Sequence, residues 1–354
     1  MAKKILVLGT GGTVSSSIKK SEGGLSPVYS VDEIFGFVPE IRDVSICAEM
    51  PIKEGDSRVY IDSTNMQPEY IQQVARRIYS AYRSECIDGV VVLHGTDTTE
   101  ESCADLTFEL LYKKIPVVLT GSMKPIDDGH TDAVKNITHA IKLASQGRSG
   151  TYLVFNGRII SAARAKKIHP SHSDAFRSVN FPQLGRFVDD EPEFTDFGKA
   201  VMNAYEKRFA NHDMKLRDGY STKTHLMELY RGIKPSIIDY FFDQDYEGLV
   251  LEAFGTGGIP NSPEHASFIP KIKRWGKEKF IGIVSKSFTG QVTNNYKVNT
   301  LALQAGAVSL RDMTSTAALA KISWAFGQTS EIEEVKSLVF CPFENEINSA
   351  LFRG

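Results

Sequence analysis

Three short apolar runs rich in β-branched residues lie within the first 120 positions: residues 4–8 (KILVL), 89–93 (GVVVL) and 115–119 (IPVVL). Runs of this length with no polar alternation predict strands buried on both faces of a parallel sheet. Each run leads straight into glycines and hydroxyls. The first reaches Gly9-Thr10-Gly11-Gly12-Thr13, the second His94-Gly95-Thr96-Asp97-Thr98-Thr99, the third Thr120-Gly121-Ser122-Met123-Lys124-Pro125. Helical spacing fills the intervals. Residues 67–82 place Pro68 early and repeat apolar positions at Ile71, Val74, Ala75 and Ile78, and 131–146 form a second helix. A third starts after Thr99, with Leu106, Leu110 and Leu111 inward and with Glu100 and Glu101 in its first turn, where the helix dipole favours negative charge. A short helix at 31–37 and a strand at 151–155 complete the pattern. Strands alternating with helices predict an α/β fold, a doubly wound and mainly parallel sheet. Chemistry in such sheets collects at the carboxyl ends of the strands. If the three strands run parallel, Thr13, Thr96, Asp97 and Ser122 share one rim.

A second, smaller α/β pattern starts near His225. It has a helix near 236–242, strands at 248–254 and 280–285, and helices near 264–275 and 314–326. Between the two patterns the composition turns acidic and polar, with Asp189-Asp190-Glu191-Pro192-Glu193 and then Arg217-Asp218-Gly219. At 354 residues the chain exceeds what one core usually serves. The expected division is a catalytic domain over 1–186, a linker over 187–223 and a C-terminal domain over 224–354. A helix at 197–209 is compatible with this.

Charge changes the picture mainly by exclusion. Lysine and arginine number 41 against 43 acidic residues, so net charge gives no reason to invoke nucleic acid or a membrane surface. No stretch has the length to span a bilayer, and the N-terminus lacks a secretory core. Cys47, Cys86, Cys103 and Cys341 are scattered without CxxC spacing, which fits a reducing cytoplasm. His94, His169 and His172 have no carboxylate or cysteine at ligand spacing, so no metal is expected. Gly9, Gly11 and Gly12 fail the GxGxxG spacing, and neither a Walker A loop nor a GxSxG elbow occurs, so no nucleotide cofactor is expected.

What remains is a set of hydroxyls with one carboxylate and nearby lysines, Lys124, Lys166 and Lys167. A threonine hydroxyl attacks a carbonyl only when a neighbouring base takes its proton. Glycine turns at strand ends offer backbone N–H groups to an oxyanion. An aspartate bound to a lysine holds it charged, while partial burial works the other way. Two threonines, an aspartate and a lysine suffice for amide hydrolysis without metal or cofactor. Ser63 or Thr64 caps the helix that follows and could also grip a substrate's charged end. Residues 14–30, small and polar with Gly23-Gly24, read as a mobile loop beside the first strand end.

Thr10-Gly11-Gly12-Thr13-Val14, His94-Gly95-Thr96-Asp97-Thr98 and Thr120-Gly121-Ser122-Met123-Lys124-Pro125, in this order, resemble the L-asparaginase/glutaminase family of bacterial type. Asp62-Ser63-Thr64-Asn65-Met66, the segment from Asp174 to Asn180 and Gly255-Thr256-Gly257-Gly258-Ile259-Pro260 extend the likeness over most of the chain. The resemblance implies a two-domain asparaginase-like fold and, from the missing leader, the cytoplasmic type I branch. It implies Thr13 as the nucleophile of an acyl-enzyme and Thr96, Asp97 and Lys167 as a second catalytic group moving protons and water. It further implies that Ser63 and Thr64 hold the substrate α-carboxylate and Asp97 its ammonium. Gly12 and the backbone at Gly95, Thr96 and Ser122 would lie around the carbonyl. A homodimer or homotetramer with sites at the dimer interface is implied as well. Two positions depart from the family. Leu25 stands where a loop tyrosine is usual, with Tyr29 the nearest substitute, and Gly258 stands where many relatives have asparagine. Glutamine, D-asparagine or a modified asparagine therefore remain alternative substrates. Gly24-Leu25-Ser26-Pro27 and residues 169–180 also resemble the D-type subunit of the archaeal glutamyl-tRNA(Gln) amidotransferase, which carries a further N-terminal domain not expected here.

Overall fold

The computed structural model describes residues 2–17 and 26–348. It divides into two units, residues 1–218 and 219–354. The first is built on an eight-stranded sheet. Its order is Glu191–Phe194, Gly185–Val188, Arg158–Ser161, Gly150–Phe155, Pro116–Thr120, Gly89–Leu93, Lys3–Gly9, Val44–Glu49. The last five of these are parallel to one another and the other three join antiparallel. Taken in chain order the parallel strands are arranged 2-1-3-4-5. Winding therefore reverses between Lys3–Gly9 and Gly89–Leu93, and ligands of open α/β sheets bind outside the strand ends at such a switch point.

The apolar runs predict these strands because every second side chain goes to a different layer. Leu6, Leu8, Val90, Val92, Val117 and Leu119 pack on one side with Ile71, Val74, Ile78 and Leu106. Ile5, Val7, Val91, Leu93 and Val118 pack on the other with Ile137, Ile141 and Leu143. The Pro68–Ser84 helix buries Ile71, Val74, Ala75, Ile78 and Ala81 along one stripe. Each buried Ile or Val there contributes about 1.5–3 kcal/mol. The Thr99–Glu109 helix lies in the same layer, and Ala133–Ser145 lies opposite.

Of the segment expected as a linker, 187–223, residues 187–218 fall in the first unit and 219–223 in the second. Its acidic Asp189-Asp190 pair is the turn of a hairpin joining Gly185–Val188 to Glu191–Phe194. Both aspartates have positive φ, 47° and 58°, as a type I′ turn demands. The hairpin widens the sheet through Gly185 opposite Ile159. The Asp196–Arg208 helix follows, capped by Thr195, and Lys215–Leu216 pairs with Leu110–Leu111. The division thus falls after Asp218. The second unit is a four-stranded parallel sheet in chain order, Thr224–Glu228, Gly248–Ala253, Phe280–Ser285 and Val308–Ser309, covered by helices that include Ser315–Phe326. No helix among the described residues is long and apolar enough to cross a membrane.

Candidate active site

Four chain turns meet at the switch point. The first leaves Lys3–Gly9 and is held to its neighbour by Thr10, whose N–H and hydroxyl both donate to Leu93 O, at 3.0 and 3.1 Å. Gly11 forms a bridge with Ile61. Gly12, at φ 80°, passes so close to the next turn that a Cβ on it would lie 2.2 Å from Gly95 Cα. Thr13 then opens a short 3-10 turn, half-buried at its head.

The second turn carries Gly95, Thr96 and Asp97. His94 sets its shape: Nδ1 bonds Gly95 O at 2.7 Å, and Nε2 lies 2.9 Å from the Ser102 hydroxyl on the following helix. Burial pushes the His94 imidazole down to about 4, so the ring is neutral at pH 7, with its proton on Nδ1 and Ser102 donating to Nε2. Thr99 adds a second donor to Gly95 O at 2.9 Å. The third turn, residues 62–65, is a 3-10 turn with Asp62 as its cap. Ser63 is buried, and its Oγ accepts the Asp97 N–H at 3.3 Å while its carbonyl accepts from Thr98 at 2.8 Å. Thr64 is exposed and gives both its N–H and its hydroxyl to Asp62. In the fourth, Gly121 lies against His94 O, where an added Cβ would approach to 2.2 Å. Asp132 collects the N–H groups of Met123 and Lys124, and Asn136 donates to Gly121 O. The Ser122 hydroxyl is turned inward onto Lys124 O at 2.6 Å, leaving its backbone as the part of Ser122 suited to a ligand.

Lys167 arrives from elsewhere, on the Ala165–Lys167 strand of a separate two-stranded ribbon. Its ammonium donates to Thr96 Oγ1 at 2.9 Å and to Asp97 Oδ1 at 2.5 Å. Of the three lysines left open by the sequence, this is the one that reaches the threonine–aspartate pair; Lys166 instead faces Glu100 at 3.4 Å. Sequence reasoning missed Glu100, whose Oε2 accepts the Lys167 backbone N–H at 2.8 Å. It also missed Ser102 and Asp132, which support the turns from behind.

Tyr29 is buried in the apolar layer, edge-on to Phe37, and its phenol donates to Asp127 at 3.3 Å. Leu25 lies outside the described residues. Gly258 belongs to the second unit, where a Cβ would meet nothing closer than 3.3 Å. His169 and His172 are exposed, and each uses Nδ1 to accept a backbone N–H of its own loop.

The switch point thus gathers hydroxyls around one aspartate–lysine pair, on a chain that two family models match. "Asparaginase, N-terminal" matches residues 4–197 and "Glutaminase/Asparaginase C-terminal domain" matches 223–339. The chain belongs to the asparaginase family. Among relatives, the D-type subunit of the glutamyl-tRNA(Gln) amidotransferase of Metallosphaera sedula is 32% identical over 98% of this chain and 77% of its own length. The solved thermostable L-asparaginase of Thermococcus kodakarensis superposes with a TM-score of 0.86 at 30% identity, covering 98% of this chain and 99% of that one. A probable cytoplasmic L-asparaginase of Campylobacter jejuni gives 0.74 at 25% identity, covering 95% and 99%.

Proposed function

We propose that this protein hydrolyses the side-chain amide of L-asparagine to aspartate and ammonia. The observation that carries the reading is the Lys167 ammonium bridging Thr96 and Asp97, on a turn that packs backbone to backbone against Gly12, the residue before Thr13. In the first half-reaction the Thr13 hydroxyl oxygen bonds to the amide carbon and gives up its proton, which ends on the leaving nitrogen. Backbone N–H groups around Gly12, Gly95, Thr96 and Ser122 stabilise the oxyanion. The carbon–nitrogen bond then breaks, and the leaving nitrogen takes that proton and departs as ammonia. In the second half a water attacks the ester and gives its proton to the Asp97 carboxylate, the accepting member of the Thr96–Lys167–Asp97 group. The bond to Thr13 breaks, and the threonine recovers its proton. Ser63 and Thr64 hold the substrate carboxylate, and Asp97 its ammonium. For Thr64 this requires the ligand to compete with Asp62. No metal or cofactor takes part in this scheme. The reading places the enzyme in the cytoplasm as a homodimer or homotetramer, with sites completed at the dimer interface.

The test is ammonia release from L-asparagine, D-asparagine and L-glutamine by the wild type and Thr13→Ala. Turnover of L-asparagine that is lost in the variant supports the reading. Equal rates for the two proteins, or none on any amide, end it. The likeness to the amidotransferase relative favours a second reading, in which the same site releases ammonia for a partner enzyme. Co-purification with a second protein or with tRNA would support that reading over the first.

A further inference from the structure

The Lys167 ammonium is held at Thr96 and Asp97, but the strand that bears it is outside the main sheet. Among the described residues Ala165–Lys167 pairs only with Phe176–Ser178, in the register Ala165 to Ser178, Lys166 to Arg177 and Lys167 to Phe176. Ile168 N donates to Ala175 O at 2.7 Å. Because N–H groups alternate in direction along an antiparallel strand, that of Lys167 faces away from the ribbon. It is an edge donor, and Glu100 takes it at 2.8 Å with Oε2. Its other oxygen faces Lys166 Nζ at 3.4 Å.

Glu100 is the second residue of the Thr99–Glu109 helix, three positions after Asp97. The strand-end turn and the first turn of the helix after it therefore grip Lys167 at both ends, ammonium by Thr96 and Asp97 and main chain by Glu100. The two grips do different things. A lysine side chain has four rotatable bonds, and holding its end alone leaves its stem and strand free to shift. Fixing the backbone as well removes that freedom. The Glu100 side chain is 13% exposed, so this charge-assisted hydrogen bond is only partly open to water.

We propose that Glu100 is a positioning residue for the proton-handling group: its carboxylate tethers the Lys167 main chain, so that the ammonium meets Thr96 and Asp97 without searching. The inference rests on the proposed amidohydrolase reading for its kinetic consequence, though not for its structural one. A displaced support of this kind lowers activity on the order of 10- to 100-fold.

The experiment compares wild type, Glu100→Ala and Glu100→Gln by two readouts, with thermal melting as a control on folding. Glutamine keeps an acceptor oxygen for the N–H, whereas alanine removes it. For L-asparagine hydrolysis, Glu100→Ala is expected to lose about 10- to 100-fold in kcat with KM little changed, and Glu100→Gln to stay within about threefold. The second readout is independent of activity: the rate at which an amine-reactive ester labels Lys167, read by peptide mass spectrometry. Labelling is expected to speed up several-fold in Glu100→Ala and to match wild type in Glu100→Gln. If glutamine behaves like alanine, the charge and not the tether matters, and the proposal is overturned. Wild-type behaviour of Glu100→Ala in labelling overturns it too. Absence of amidase activity in the wild type would remove the proposed function, while the labelling comparison would still decide the role of Glu100.

Discussion

Gly12 and Gly95 touch through their main chains: a Cβ on Gly12 would lie 2.2 Å from Gly95 Cα and 2.5 Å from Gly95 N. This contact brings the Thr13 turn against the Thr96 turn, and both partners are backbone, which cannot rotate away. At φ 80° Gly12 also occupies a region that L side chains rarely adopt. Gly12→Ala is therefore expected to separate the two turns. Turnover should fall at least on the order of 100-fold, as a shift of about 1 Å in a catalytic group can cause. Steady-state kinetics beside a melting curve checks this. Near-normal kcat in a folded Gly12→Ala protein would contradict it.

Lys167→Met keeps most of the side-chain length but has no proton to give. Asp97→Asn keeps the shape but loses the charge that Lys167 faces at 2.5 Å. Each is expected to reduce kcat on the order of 10²–10⁴-fold. The double variant should lose less than the product of the single losses, since both residues serve one proton-handling unit. Multiplicative losses in a kinetic double-mutant cycle would mean that the two groups act separately.

Stability should fall as pH rises from about 4 towards about 8, for a reason visible on the Thr99–Glu109 helix. Burial, with Glu101 nearby, pushes the Asp105 carboxyl up to about 8. Burial also raises Glu109, whose two oxygens lack a hydrogen-bond partner among the described residues. An acid whose folded-state value is raised binds its proton more tightly folded than unfolded. Its contribution is complete below the unfolded value, about 4, and is lost as pH rises towards about 8. Asp105→Asn has no proton to lose. Its melting temperature should decline less than that of wild type between about pH 5 and pH 9. Parallel melting profiles for the two proteins would refute the assignment.

Much of this architecture can be read from apolar runs alone, because a doubly covered parallel strand has no polar face to disguise it. Residues 4–8, 89–93 and 116–119 lie in such strands, with Ile115 just before the third. The Val44–Glu49 strand escaped notice because it is an edge, half-exposed, with a mixed VSICAE sequence. The acidic hairpin turn at Asp189-Asp190 read as linker because charge marks turns and linkers alike, and only the positive φ values tell them apart. Within the site, Thr96, Asp97 and Lys167 were legible as residue types, and the structure brings them together. Their supports were not. Glu100 carries the same local signature as any acid in a first helical turn, and its grip on a main-chain N–H 67 residues away is a product of the tertiary fold. Tyr29 shows the opposite case, a suggestive residue near the right place that the fold buries against Phe37 and Asp127.

The central claim is that Thr13 forms a covalent bond to the substrate acyl group, and one measurement addresses it directly. Lys167→Met, slowed in the water-dependent half, is mixed with L-asparagine, quenched in acid and analysed by peptide mass spectrometry. The account predicts a single aspartyl group on the peptide containing Thr13, absent when Thr13→Ala is added to the same protein. Ammonia release with no adduct on that peptide, and the same rate when Thr13 is alanine, would contradict it.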